Sequence, residues 1–100
     1  MMTRKKTNNH YLLSSAKNIL GLSNITFDNE IIGLIDAGQR DLEVSGIFPP
    51  KDKPDPLFER AVLTYVNANY GADGNSEKLQ RKYDAIKLNM RESGEYNAVD

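Results

Sequence analysis

The chain of 100 residues has no cysteine, and that absence removes disulfides, cysteine-based zinc sites and thiol nucleophiles together. Nothing in it requires an oxidising compartment. It also lacks any apolar run near the ~20 residues that span a bilayer. Met1–Asn9 (MMTRKKTNN) is basic and polar, but no uninterrupted apolar stretch and no small-residue cleavage site follow it, so it does not read as a signal peptide. A cytoplasmic location is expected. Excess charge of one sign is missing as well: 13 Lys and Arg face 14 Asp and Glu, for a net charge of −1. Folded bodies that hold DNA through many phosphates usually carry a positive excess on one face. The one basic cluster, Arg4, Lys5 and Lys6, lies in the polar leader, so nucleic-acid binding by the body is disfavoured.

Catalytic groupings are equally scarce. His10 is the only histidine, with no second histidine or cysteine to share a metal and no Ser–Asp arrangement to orient it. It reads as a solvated residue near the first helix. Asp73, Gly74, Asn75, Ser76 and Glu77 open like a calcium loop, but Lys78 stands at the sixth position, where glycine makes the bend. The twelfth is Asp84 rather than glutamate, and a turn with a helix cap explains the same residues. Asp28, Glu30, Asp36 and Asp41 share one helix, at spacings that bring no pair together into a cleft. No glycine-rich phosphate loop precedes a helix. Tyr65, Tyr70, Tyr83 and Tyr96 fall on or next to apolar faces, which favours core or interface packing over base stacking. No catalytic, cofactor or metal site is expected.

What is present is helical periodicity. Leu12, Ala16, Ile19 and Leu20 predict a first helix over Tyr11–Leu22, stopping around Gly21. Thr26 or Asp28 is expected to cap the second, where Ile31, Ile35, Gly38 and Leu42 recur along one face. Gly38 in mid-helix costs about 1 kcal/mol relative to alanine, so it predicts a close approach by a neighbouring helix. Gly46 supplies the stop. Prolines 49, 50, 54 and 56 then forbid a helix and make a semi-rigid connector, without the PxxP register of a ligand for SH3-type modules. Asp55–Pro56 is a sharp start signal for a third helix carrying Leu57, Phe58, Ala61, Val62, Tyr65, Val66 and Tyr70. After the loop 71–75, Asn75 or Ser76 caps a fourth helix with Leu79, Tyr83, Ile86 and Met90 on one face and a Glu77–Arg81 surface pair. The reading is all-α: a small bundle of about four helices in one domain, 10–94, between a basic tail, 1–9, and a C-terminal tail, 95–100. Leu42, Phe58, Val62, Tyr83 and Ile86 are the expected core.

The segments FDNEIIGLIDAGQRDLEVSGI (27–47) and LFERAVLTYVNANYGADGNSEKLQRKYDAIKLNMRESGEYN (57–97) carry a further signal. In order and spacing they resemble the phage head–tail connector, or head-completion adaptor, proteins of long-tailed phages and prophages. The likeness runs over roughly residues 12–97. It rests on the acidic start, the I-x-x-L-I-x-A run and the aspartate–leucine pair before a glycine, followed by an aromatic–glycine helix end and a Ser-Gly-Glu-Tyr tail. The basic leader has no obvious counterpart, and Gly38 stands where alanine is usual. The resemblance implies an all-helical structural subunit, not an enzyme, that forms a ring, commonly a dodecamer, in the virion at the head–tail junction. Its implied partners are copies of itself, the portal protein and a tail-side connector or stopper. Genomic DNA would pass through the ring without being read.

Two segments outside the predicted core hold aromatic residues that a solvated loop gains nothing by exposing. From them, Phe48, Pro49, Pro50, Glu95, Tyr96 and Asn97 are expected at the partner interface, together with Tyr70, with folding back on the core an equal alternative for Phe48. The rival reading is a small helical DNA-binding regulator, which requires a polar, basic recognition face. Lys78, Arg81, Lys82 and Lys87 offer cations on the last helix, but a five-residue loop precedes it and a long apolar face underlies it.

Overall fold

The computed structural model describes residues 9–50, 55–71 and 76–96, with side chains from Tyr11 onward. A 3-10 turn, Asn9–Leu12, leads into α1, Leu13–Leu20; α2 is Asp28–Val44, α3 Pro56–Asn69 and α4 Ser76–Ser93. The described residues contain no strand, and the all-α bundle read from the sequence is the fold. The basic leader before Asn9, Asn75 as a cap and the opening of the calcium-like loop lie outside the described residues, as does the His10 side chain.

The central element is α3, which packs against α1, α2 and α4. It starts where the sequence places its start. The Asp55 carboxylate accepts the Phe58 amide at 2.9 Å, with Pro56 at the first helical position, where a missing N–H costs nothing. Phe58, Ala61, Val62 and Val66 turn inward to meet Ile31, Ile35 and Leu42 of α2 and Tyr83 and Met90 of α4 in one core. Leu12 and Ala16 close it from the first helix. Gly38 is the point of closest approach: a β-carbon there would meet Tyr65 Cδ1 at 3.0 Å and Tyr65 Cβ at 3.2 Å. Tyr65 in turn packs edge-on against Tyr83, ring centroids 5.3 Å apart.

The end of α2 shows how a local stop becomes tertiary structure. Gly46 takes φ of +88°, a value that favours glycine, and its amide bonds the Glu43 carbonyl while the Ile47 amide reaches back to Leu42. The reversal delivers Ile47 into the core, fully buried.

Several expectations are corrected. The first helix begins as a 3-10 turn and ends at Leu20, and Ile19, assigned to its apolar face, is half exposed. Neither Thr26 nor Asp28 caps α2. The N-cap is Phe27, without a side-chain bond, because the Thr26 amide is held by Asn24 Oδ1 and the Asp28 carboxylate is drawn 2.8 Å from the Lys17 ammonium. Leu57 precedes Phe58 by about 100° around the helix and stays exposed, and Ile86 is half-buried at the core's edge.

The largest correction concerns residues 95 and 96, taken as tail. Tyr96 is only 6% exposed and belongs to the core. Its hydroxyl donates to Asp55 Oδ2 at 2.7 Å, and its carbonyl accepts the Phe48 amide at 2.8 Å. After α4 the chain therefore returns to the junction between the end of α2 and the start of α3.

Candidate interaction surface

The polar groups drawn inward are committed to holding helices together. Asp41 Oδ2 on α2 accepts from the Tyr83 hydroxyl at 2.6 Å and from Lys87 Nζ at 2.9 Å, both on α4. The Lys87 ammonium also lies 5.0 Å from the centre of the Tyr83 ring, within cation–π range. Burial pushes the Asp41 carboxyl upward, but the two bonds outweigh it and hold it below its ordinary value. The Tyr83 hydroxyl is driven far above its ordinary value, by burial first and then by its bond to the carboxylate. Tyr11 on the first helical turn donates to Glu59 of α3 at 2.7 Å, and burial with that bond pushes its pKa up to about 12. Tyr96 reaches about 12 in the same way, through burial and Asp55. Each hydroxyl stays protonated near neutrality and serves as a clamp between elements. Among the described residues no three histidine or carboxylate side chains converge on a metal position.

The surface divides into two ends and a groove. At one end the close of α2, the start of α3 and the return after α4 gather five of the expected interface residues. Phe48 and Pro49 are half-buried there, Pro50 and Glu95 exposed and Tyr96 buried. Asn97 lies outside the described residues. Tyr70 sits apart from these, at the far end of α3, half-buried with its ring edge-on to Phe27 at 6.4 Å. The expected interface residues are thus not one patch, and Tyr96 is held inside the fold rather than presented from it.

Two features escaped the sequence reading. The first is the turn between α1 and α2, where Ile25 is 79% exposed and Phe27 45% exposed, although the turn itself is held by backbone and Asn24 bonds. An apolar residue in a polar loop was the signal applied to Phe48 and Tyr96; Ile25 and Phe27 carry the same signal. The second is a groove of about 380 Å³ along the outer face of α3, floored by Leu63, walled by Ile19 of α1 and Leu79 of α4, and edged by Arg60 and Lys82.

A family model described as phage connector protein matches residues 12–97, which takes in α1 through α4 and the buried Tyr96. No curated protein and no solved structure matches the chain.

Proposed function

The chain belongs to the phage connector protein family, and from that premise we propose that it is a structural adaptor that forms a ring between the portal and the tail-side connector or stopper, lining the passage for DNA. Its place would be the head–tail junction of the virion, reached from the host cytoplasm. The observation that carries this reading is the span of the family match, which covers the whole helical body rather than one motif within it. The chemistry of the surface is compatible with it. The inward-facing carboxylates and tyrosine hydroxyls bond one another across helices, and a net charge of −1 gives DNA little to adhere to.

The test is to mix the purified chain with its portal and image the product by electron microscopy. A closed ring of this chain on one face of the portal is the expected result. A chain that never binds the portal and instead selects a DNA sequence at physiological salt would overturn the reading in favour of the regulator.

A further inference from the structure

We propose that the α1–α2 turn of one copy seats in the α3 groove of the next, Ile25 and Phe27 entering over Leu63 while Glu30 faces Arg60 and Lys82. This deepens the ring reading and rests on it. The turn is preorganised for such a role. The Thr26 amide bonds Asn24 Oδ1 at 3.0 Å, the Asp28 amide bonds the Ile25 carbonyl at 3.2 Å, and Phe27 leans on Tyr70. Little ordering entropy is then lost on docking. Ile25, at 79% exposure, is the most exposed of the large apolar side chains among the described residues and contributes little to its own fold.

The groove offers the turn apolar lining and opposite charge. Its volume, about 380 Å³, is that of a site for a few side chains, with Leu63, Ile19 and Leu79 as apolar lining. Glu59, the acid at its edge, is bonded by Tyr11, whereas Arg60 and Lys82 have no acidic partner among the described residues. The rim is therefore net positive. Glu30, in the first turn of α2 beside the exposed pair, is exposed and equally without an ionic partner among the described residues. Two different, complementary surfaces on one chain make a head-to-tail contact, the kind that closes rings. Two side chains, each burying about 150–250 Å² at most, fall short of the roughly 1,200–2,000 Å² of a stable standard interface. An isolated pair is accordingly weak, and a closed ring or a portal template is needed to hold it.

The absence of cysteine makes the test clean, since every disulfide would be engineered. Full-length chain carrying Ile25→Cys is mixed with full-length chain carrying Leu63→Cys under mild oxidation, alone and on the portal. A Ser14→Cys chain, altered at an exposed position of α1, replaces the Leu63→Cys chain as control. The expected result is a mixed disulfide at least tenfold faster than the control, and a ladder of oligomers when both substitutions share one chain. Lys82→Glu should slow the cross-link at least fivefold, and Glu30→Lys on the opposing copy should restore it. Unchanged circular dichroism and melting of each variant exclude a folding defect. Rings that form on the portal with no preference for this pair of positions overturn the docking proposal and leave the ring reading standing. Wild-type chain that does not associate at any concentration, alone or on the portal, overturns both.

Discussion

At the scale of single residues, Gly38 and Asp41 show opposite uses of one helix face. Replacing Gly38 by alanine should gain about 1 kcal/mol of helix propensity. Against this, the new methyl would lie 3.0–3.2 Å from three atoms of Tyr65, and one of them, Cβ, moves only if α3 moves. Overpacking of this kind costs about 1–3 kcal/mol, so Gly38→Ala should be destabilising by roughly 1 kcal/mol in urea denaturation. A gain in stability would show that α3 can retreat. Asp41 makes a prediction in pH. Its carboxyl is held below its ordinary value, so the folded state binds a proton there less readily than the unfolded chain does. The stability it contributes is present above pH ~4 and is lost as pH falls through its lower folded value. The group is 39% exposed, so solvent screens the effect and keeps it small. Asp41→Asn should flatten the acid limb of stability against pH. Tyr83→Phe should flatten the alkaline limb, since a hydroxyl raised in the fold contributes stability below pH ~10 that is lost above it.

At the scale of elements, Tyr96 is a strut in a segment that reads as a tail. Truncating it removes a buried ring and two links to other elements, its hydroxyl bond to Asp55 and the packing that holds its carbonyl against the Phe48 amide. Tyr96→Ala should therefore destabilise the free subunit by about 3 kcal/mol or more, visible as a lower melting temperature before any assembly is measured. Tyr96→Phe should lose only about 1 kcal/mol, because the ring remains and one hydrogen bond goes. The contrast between Tyr96 and Gly38 marks what was legible in the sequence. Steps of four, three and four along α2 announce a buried face, and a glycine on that face announces a neighbour's approach; both are local patterns. The Asp55–Pro56 start was legible for the same reason. Tyr96 was not, since its burial depends on where α2 and α3 end in space, and no spacing within residues 94–97 encodes that. The cap of α2 was missed because Asp28 is claimed by Lys17, eleven residues earlier and on a different helix. The groove was invisible for a related reason: Ile19, Leu63 and Leu79 come from three helices, and Ile19 and Leu79 read as ordinary apolar-face positions while Leu63 fell outside the face assigned to the third helix.

At the scale of the whole molecule, the proposed ring sets a physical requirement: a subunit lining a DNA passage must not grip what passes. Affinity for duplex DNA rises with the number of phosphates neutralised, and each such contact adds to the steepness of its salt dependence. This chain balances 13 cations against 14 anions. Inside the folded body, cations are partly spent on acids of the same molecule: Lys17 on Asp28, Lys87 on Asp41 and Arg81 on Glu77. The three cations of the leader, Arg4, Lys5 and Lys6, stand in a stretch that contains no acid. Removing Met1–Asn9 takes away those three and no anion, leaving residues 10–100 at a net charge of −4. Among the described residues the core begins at Leu12, which the shortened chain keeps, so its stability should stay within about 0.5 kcal/mol of the full chain's, the usual range for changes away from packed contacts. Its electrostatics lose the one cationic cluster: the full chain should show weak retention on immobilised duplex DNA at low salt, lost by physiological ionic strength, and the shortened chain none at either. The measurement is elution across a salt gradient for both proteins side by side. Retention of the shortened chain at physiological salt would mean that the helical body itself presents an organised cationic surface, and the neutral-channel account would fail with it.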